Sequence, residues 1–213
     1  MTNDDLINRL AGDLTPVRAR TPGHDAMTIG SIALIELVLF LALGGMRPDM
    51  PDAMEHPGFW WKLVSLALIA LTSCVVAILS LDPSRSPRRG LRLVLALILL
   101  CVAAGWLVDA AGEGWPALWA RLDWRDGLSC VTKMVLLSIP PVLGLGTLMR
   151  RGAPTDRSGT AWIAGLAAAA WGAFVFVFAC PFDDPLYIAV WYLVGCGLVS
   201  VAARLLLPLT SRW

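Results

Sequence analysis

Six apolar stretches, each about long enough to cross a bilayer, occupy the chain between residues 27 and 208. A bilayer core holds no water, so a segment that crosses it must satisfy its own backbone hydrogen bonds, as a helix of about 20 residues does. Of the 213 residues, 57% are hydrophobic and only 15% are charged, which disfavours a water-soluble fold. We therefore predict an all-α, integral membrane six-helix bundle, with spans at residues 27–46, 60–80, 91–110, 129–149, 160–179 and 186–208.

The basic residues are distributed unevenly between the two sides of this bundle. Twelve of the 17 Lys and Arg residues fall on the side of the termini: Arg9, Arg18, Arg20, Arg85, Arg88, Arg89, Arg92, Arg150, Arg151, Arg157, Arg204 and Arg212. Four lie near the other loops, and Lys133 lies inside the fourth span. Because basic loops stay in the cytoplasm, we expect a multi-pass inner-membrane protein with both termini cytoplasmic. The chain then divides into a cytoplasmic tail, residues 1–26, and a membrane domain, residues 27–213.

The tail carries the pattern of a short amphipathic helix. Leu6, Ile7, Leu10 and Leu14 share one helical face, and Pro16 marks the expected end of the helix. So short a helix is marginal alone in water and needs a surface to pack on. That surface is either the membrane and the bundle, or a groove on a soluble partner.

Acidic residues on the polar face of the tail favour the soluble partner. Asp4, Asp5 and Asp13 outnumber Arg9, whereas helices that lie on anionic membranes usually carry basic residues. An acidic face suits a basic protein, such as one that binds DNA.

Two of the five cysteines, Cys130 and Cys180, lie at one membrane level on the extracytoplasmic side. In a Gram-negative cell that side is oxidising, so a disulfide would persist there. The sequence leaves open a reactive pair, a structural disulfide and two unrelated thiols. The other three cysteines, Cys74, Cys101 and Cys196, fall inside apolar spans, where single thiols usually act as small hydrophobic groups.

Charged residues near this pair have several interpretations. Lys133 lies three residues after Cys130, on the same helical face, so its charge either favours the thiolate or extends to the lipid headgroups. Asp183 and Asp184 follow Cys180 closely, and either is a candidate partner for Lys133. His56, in the first outer loop, is a candidate third ligand if the two cysteines bind a soft metal. No metal motif with typical spacing supports that site.

Four sequence features together resemble the NrsF-type anti-sigma factors, a family of six-span inner-membrane proteins. They are Asp5-Leu6-Ile7-x-x-Leu10-x-x-Asp13-x-x-Pro16-Val17 in the tail, Phe59-Trp60-Trp61-Lys62 at the second span, Cys130 with Lys133 in the fourth, and Cys180-Pro181-x-x-Asp184-x-Pro185 before the sixth. The resemblance extends over the whole chain at similar spacing.

The resemblance implies that the chain sequesters an extracytoplasmic-function sigma factor and releases it under oxidative or heavy-metal stress. By the same resemblance, Cys130 and Cys180 receive the signal, and the tail residues bind the sigma factor together with the inner loops: Leu6, Ile7, Leu10, Asp13 and Pro16. It implies a regulator and not an enzyme, with no cofactor and no direct contact with nucleic acid.

Two other classes of function remain open on the sequence alone. A small transporter or channel needs polar groups within the spans, for which Glu36 is the main candidate. A membrane thiol–disulfide oxidoreductase needs a second redox partner beside Cys130 and Cys180, and the remaining cysteines are single and at different depths. No hydrolase or nucleotide-binding motif occurs in the chain.

Overall fold

The computed structural model describes residues 21–109, 122–152 and 154–210, with residues 5, 7, 11 and 12 of the tail. Outside the tail, the described residues form seven helices: α1 (Pro22–Ala42), α2 (Met50–Ala53), α3 (Pro57–Leu79), α4 (Pro87–Asp109), α5 (Trp124–Arg151), α6 (Arg157–Phe176) and α7 (Pro185–Thr210). All except α2 are long and apolar enough to cross a membrane. The predicted all-α fold is confirmed, with six helices that could span a membrane by their length and composition.

Helix starts differ from the predicted spans because proline and capping residues set them, not the onset of hydrophobicity. Four of the long helices begin at a proline, namely Pro22, Pro57, Pro87 and Pro185. Proline suits this position since it lacks the N–H that would remain unpaired there. Helix α1 therefore begins inside the segment predicted as tail, and α4 begins before its basic residues.

The end of α1 also differs from the prediction. The helix stops at Ala42, before the predicted limit at residue 46. Gly44 has a φ angle of 81°, in the left-handed region that favours glycine. The chain turns there, which leaves Arg47 outside the helix.

The amphipathic tail helix lies mostly outside the described residues. Asp5, Ile7, Ala11 and Gly12 are helical and exposed. Four residues predicted to bind a partner are not described: Leu6, Leu10, Asp13 and Pro16.

Helix α6 is the most buried of the six long helices. Small residues allow its neighbours to approach closely. A Cβ atom added to Gly165 would lie 2.5 Å from Ala203 Cβ on α7, and one added to Gly172 would lie 2.5 Å from Ser138 Oγ on α5. Helices α3, α5 and α7 surround α6, whereas α1 and α4 are far less buried.

The bundle has two ends. We name the end formed by segments 43–56 and 177–184 the loop face. We name the end formed by segment 80–86 with residues 152 and 154–156 the terminal face, where α1 begins and α7 ends. Between them, large apolar side chains cover the outside of the helices: Leu34, Leu39, Leu71, Leu99, Leu143 and Leu205 are among the exposed ones. Such a continuous apolar surface is suited to lipid and not to water.

Candidate functional site

The starts of α3, α5 and α7 meet segment 177–184 beneath the loop face and form a buried polar site. Helix α5 is capped by Asp123, whose side chain accepts the N–H of Arg125 at 2.8 Å. The cap fixes the first turns of α5, and Cys130 then faces the interior, 4% exposed. Its Sγ shares a 3.4 Å hydrogen bond with the hydroxyl of Tyr187 in the first turn of α7.

The second cysteine reaches the same place from the end of α6. Cys180 is completely buried, and its thiol lies beside that of Cys130, which is its strongest electrostatic neighbour. Its Sγ also lies 3.6 Å from the carbonyl oxygen of Phe182. The fold therefore brings together two free thiols that are 50 residues apart in the sequence.

Two buried cations hold the backbone of Cys180. Arg47 donates to its carbonyl oxygen at 3.0 Å, and Lys62 lies 3.4 Å from the same oxygen. Asp183 bridges the two cations, with its carboxylate oxygens 2.7 Å from Arg47 and 2.6 Å from Lys62. Lys62 is wholly buried and also donates to the Phe182 carbonyl at 2.9 Å. Burial of these charges is tolerated because each is paired and hydrogen-bonded.

Arg47 links this cluster to the turn that follows α1. Its backbone N–H donates to the carbonyl of Phe178 at 2.8 Å, and its guanidinium binds Asp49 through two hydrogen bonds of 2.8 and 2.6 Å. The end of α1 is thus tied to the segment that carries Cys180. The Arg47 guanidinium lowers the pKa of the Asp49 carboxyl to about 2, so this pair stays charged at neutral pH.

The electrostatic environment favours the thiolate form of Cys180. The neighbouring Cys130 thiol and, more weakly, the positive charge of Lys62 lower the pKa of the Cys180 thiol to about 6, although burial opposes them. A thiolate is the nucleophilic and metal-binding form of cysteine. The site therefore presents one activated sulfur beside a second thiol.

Two glycines allow the close packing around this site. At Gly58, near the start of α3, a Cβ atom would lie 2.6 Å from the backbone oxygen of Asp183. At Gly127, in the first turn of α5, any Cβ atom would collide with the indole ring of Trp191. Larger residues at these positions would displace Asp183 or α7.

The structure separates the other predicted site residues from the thiol pair or gives them different partners. Lys133 is exposed, with its Nζ 5.9 Å from the ring centre of Phe176, although its charge still reaches Cys130. The expected pairing of Lys133 with Asp183 does not form, because Asp183 binds Arg47 and Lys62 instead. Asp184 accepts the N–H of Leu186 at the start of α7.

His56 and Glu36 lie apart from the cysteines. His56 is exposed and precedes the first residue of α3. No group of three or more His, Cys, Asp or Glu residues that could hold a metal occurs within the described ranges. Glu36 accepts a 3.2 Å hydrogen bond from the indole of Trp171 between α1 and α6.

Sequence reasoning missed Arg47, Lys62 and Tyr187 as parts of the site. In the sequence, Arg47 and Lys62 are both basic residues near an outer loop, and Lys62 also belongs to the Phe59-Trp60-Trp61-Lys62 feature, which assigns it no partner. A usable signal was present for Lys62, since a lysine that follows the start of an apolar helix needs a partner. No local pattern indicated that its partner is Asp183, more than 100 residues away.

The fold and the site together define a six-helix membrane protein. Its buried polar centre contains two thiols, and ion pairs stabilise the segment that carries Cys180. The family model described as "NrsF: Negative regulator of sigma F" matches residues 10–213 of the chain, which is most of its length. The chain belongs to this family, and the resemblance found in the sequence is confirmed.

Two relatives support this membership. The chain is 28% identical over 197 residues to the anti-sigma-F factor NrsF of Caulobacter vibrioides, covering 92% of each chain. It is 30% identical over 217 residues to the probable anti-sigma-F factor NrsF of Azospira oryzae, covering all of both chains. No solved structure matches the chain.

Membership in this family makes the protein an anti-sigma factor. It regulates transcription and is not an enzyme, and its partner is a sigma factor. The transmembrane helices and the role in transcription regulation that the sequence predicted are confirmed.

Proposed function

We propose that this protein holds an extracytoplasmic-function sigma factor at the inner membrane and releases it when Cys130 and Cys180 react with an oxidant or a heavy metal. In this proposal the terminal face is cytoplasmic and the loop face is extracytoplasmic. The excess of basic residues on the side of the termini supports that orientation. One observation carries the sensing role: the two neighbouring thiols lie in a buried site that is tied to several helices.

The tail is the proposed docking element for the sigma factor, together with the basic inner loops. Ile7 is 60% exposed, so an apolar side chain of the tail is available to a partner. Leu6, Leu10, Asp13 and Pro16 complete the proposed surface by their sequence spacing. An apolar helical face with acidic neighbours matches a groove with a basic rim.

A hydroperoxide supplies the oxidising signal in the simplest form of the mechanism. The Cys180 thiolate attacks one peroxide oxygen, the O–O bond breaks, and the leaving oxygen takes up a proton. The resulting sulfenic acid then reacts with the Cys130 thiol, forming the S–S bond and releasing water. Two thiols lose two electrons and two protons in total, and the peroxide is reduced.

A soft metal ion held by the two sulfurs is the second form of the same signal. It displaces the thiol proton of Cys130 and binds both sulfurs as thiolates. His56 is far less suited than the sulfurs to take part, because it is exposed at the start of α3. We therefore favour oxidation as the primary event.

Coupling to the tail runs through Arg47. A disulfide replaces a non-covalent contact by a covalent bond and moves segment 177–184 relative to α5. Arg47 follows that segment, because its backbone and its side chain both bind there. It also connects directly to α1, which leads to the tail and has little buried surface to hold it in place. The two arrangements of α1 then differ in affinity for the sigma factor.

A pull-down from detergent-solubilised membranes tests this proposal. The bait is the wild-type chain, the double variant Cys130→Ser/Cys180→Ser, or the chain without residues 1–20, each with and without hydroperoxide. We expect a sigma factor to co-elute with the first two baits and to leave only the wild type on oxidation. The control Cys74→Ser/Cys196→Ser should release its partner like the wild type.

Two results would contradict separate parts of the proposal. Release from the Cys130→Ser/Cys180→Ser variant on oxidation would exclude these thiols as the sensor. Capture by the chain without residues 1–20 would show that the docking surface lies in the inner loops and not in the tail.

A further inference from the structure

Helices α4 and α7 are separated by a cleft that extends from the terminal face toward the middle of the bundle. On α4 its wall is formed by Leu91, Leu95 and Ile98, and on α7 by Leu193 and Gly197. These residues recur every three or four positions, so each helix presents one continuous face to the cleft. Toward the middle of the bundle the cleft encloses a cavity of about 210 Å³ whose lining is almost entirely apolar.

The mouth of the cleft at the terminal face is basic. Arg88 from α4 and Arg204 from α7 line a notch that shares Leu95 and Trp162 with the apolar cavity, so the two spaces adjoin. The guanidinium of Arg204 lies 5.2 Å from the ring centre of Trp162 and donates to Ser158 at 3.2 Å. These contacts orient Arg204 over the mouth.

One carboxylate also lines the notch, but it is already engaged. Asp156 accepts the N–H of Gly159 at 2.8 Å and lies 3.6 Å from Arg88. The Arg88 side chain is 79% exposed, so most of its donors face outward from this pair. Two arginines and one carboxylate leave the mouth with a net positive charge.

We propose that the cleft between α4 and α7 binds an anionic phospholipid, with the phosphate at Arg88 and Arg204 and one acyl chain in the apolar cavity. An anion is favoured at a basic mouth located at the end of apolar helices, where lipid phosphates lie. A polar ligand is excluded from the inner part, because almost no polar atom lines it.

The length of the cleft agrees with an acyl chain. From Leu91 to Cys101, α4 rises by about 15 Å at about 1.5 Å per residue, which is half the hydrocarbon thickness of about 30 Å. A chain anchored at Arg88 and Arg204 thus reaches the bilayer midplane beside Cys101. Because α4 has little buried surface of its own, the lipid completes its packing against the bundle.

Native mass spectrometry of the full chain in detergent measures this binding directly. The probes are phosphatidylglycerol and phosphatidylcholine with the same acyl chains, titrated separately. Arg88→Gln/Arg204→Gln removes the basic mouth, and Arg85→Gln/Arg89→Gln is the matched control, since these arginines line a different notch at the same face. All four side chains are exposed, so both variants are expected to fold.

The expected result is a selective loss of the anionic lipid. Each arginine near a phosphate contributes about fivefold in affinity, so Arg88→Gln/Arg204→Gln should weaken phosphatidylglycerol binding about twenty- to thirtyfold. The control pair should change it by less than about twofold, and phosphatidylcholine should bind the wild type much more weakly. Equal losses in both arginine variants would overturn the proposal in favour of a general basic surface. Equal binding of the two lipids by the wild type would also overturn it.

A pair of glycine variants tests the apolar part independently. Gly197 lines the cavity with nothing within 4 Å of a Cβ atom, and Gly30 on α1 is equally open but lies outside the cleft. Gly197→Phe should occupy the acyl-chain position and abolish specific phosphatidylglycerol binding, whereas Gly30→Phe should leave it unchanged. Retained binding in Gly197→Phe would mean that the acyl chain lies elsewhere and would refute the assignment.

Discussion

Asp183 bridges the two buried cations, so its replacement tests how the thiol site is held together. Its two oxygens bind Arg47 and Lys62 separately, at 2.7 and 2.6 Å. The isosteric change Asp183→Asn keeps one acceptor oxygen but turns an amide NH₂ toward the other cation. It leaves the two positive charges facing each other without the anion between them.

The magnitude follows from the burial of these groups. Removing one partner of a buried ion pair costs about 3–5 kcal/mol, because the remaining charge is left uncompensated. Lys62 is fully buried, but the Asp183 side chain is 17% exposed, which allows some solvent screening. We therefore expect Asp183→Asn to lower the free energy of unfolding by about 3 kcal/mol, at the lower end of that range. This corresponds to a change of about a hundredfold or more in the unfolding equilibrium.

Unfolding in mixed micelles, followed by tryptophan fluorescence during an SDS titration, gives the required free energies. Asp49→Asn is the matched control, since it removes the same charge from Arg47 at an exposed position while Asp183 remains. We expect a much smaller effect for this control, because solvent screens an exposed pair. The double variant Lys62→Met/Asp183→Asn should be more stable than Asp183→Asn by about 1 kcal/mol or more, because it removes the uncompensated lysine.

Two outcomes would refute this reasoning. If Asp183→Asn and Asp49→Asn are equally mild, the cluster is hydrated and does not stabilise the fold. If Lys62→Met adds a further loss to Asp183→Asn, the lysine contributes through packing and not through its charge.

Three further predictions concern the geometry and chemistry of the thiol site. Gly58→Ala should destabilise the protein by about 1–3 kcal/mol in the same titration, because its Cβ atom would lie 2.6 Å from the Asp183 backbone oxygen, whereas Gly23→Ala meets no atom and should not destabilise it. The pH profile of the Cys180 thiolate, followed as the ultraviolet absorbance difference between the wild type and Cys180→Ser, should show thiolate at pH values where an ordinary cysteine, with a pKa of about 8.5, is protonated, because the pKa of Cys180 is lowered to about 6. Cys130→Ala removes the main cause of that lowering and should move the midpoint of this profile upward; an unchanged midpoint would contradict the assigned cause.

The number and type of the elements were predictable because the bilayer leaves few choices. An apolar segment of sufficient length in the chain has to form a helix, so the six spans followed from hydropathy alone. Their limits did not follow, because prolines such as Pro22 and Pro87 start helices before the apolar residues begin. Gly44, with its positive φ angle, likewise ends α1 before the predicted limit of the span.

The site was predictable only in part, because its residues are far apart along the chain. The common membrane level of Cys130 and Cys180 follows from counting spans, but their close approach depends on how α5 packs against the end of α6. Lys133 is exposed on α5, and Asp183 binds Arg47 and Lys62, so the sequence did not show which cation Asp183 would pair with.

The sequence by itself indicated a bilayer as the environment of the chain, and it predicted the helical class, the six spans and the family, because these depend on composition and on local patterns. The tertiary structure alone decided which charges neutralise each other and what surrounds the thiols. Arg47, Lys62 and Asp183 come from three separate segments, and only helix packing brings the two cations to the Asp183 carboxylate and to the carbonyl oxygen of Cys180. A buried charge requires a partner, but the sequence does not specify which of the distant candidates lies within reach.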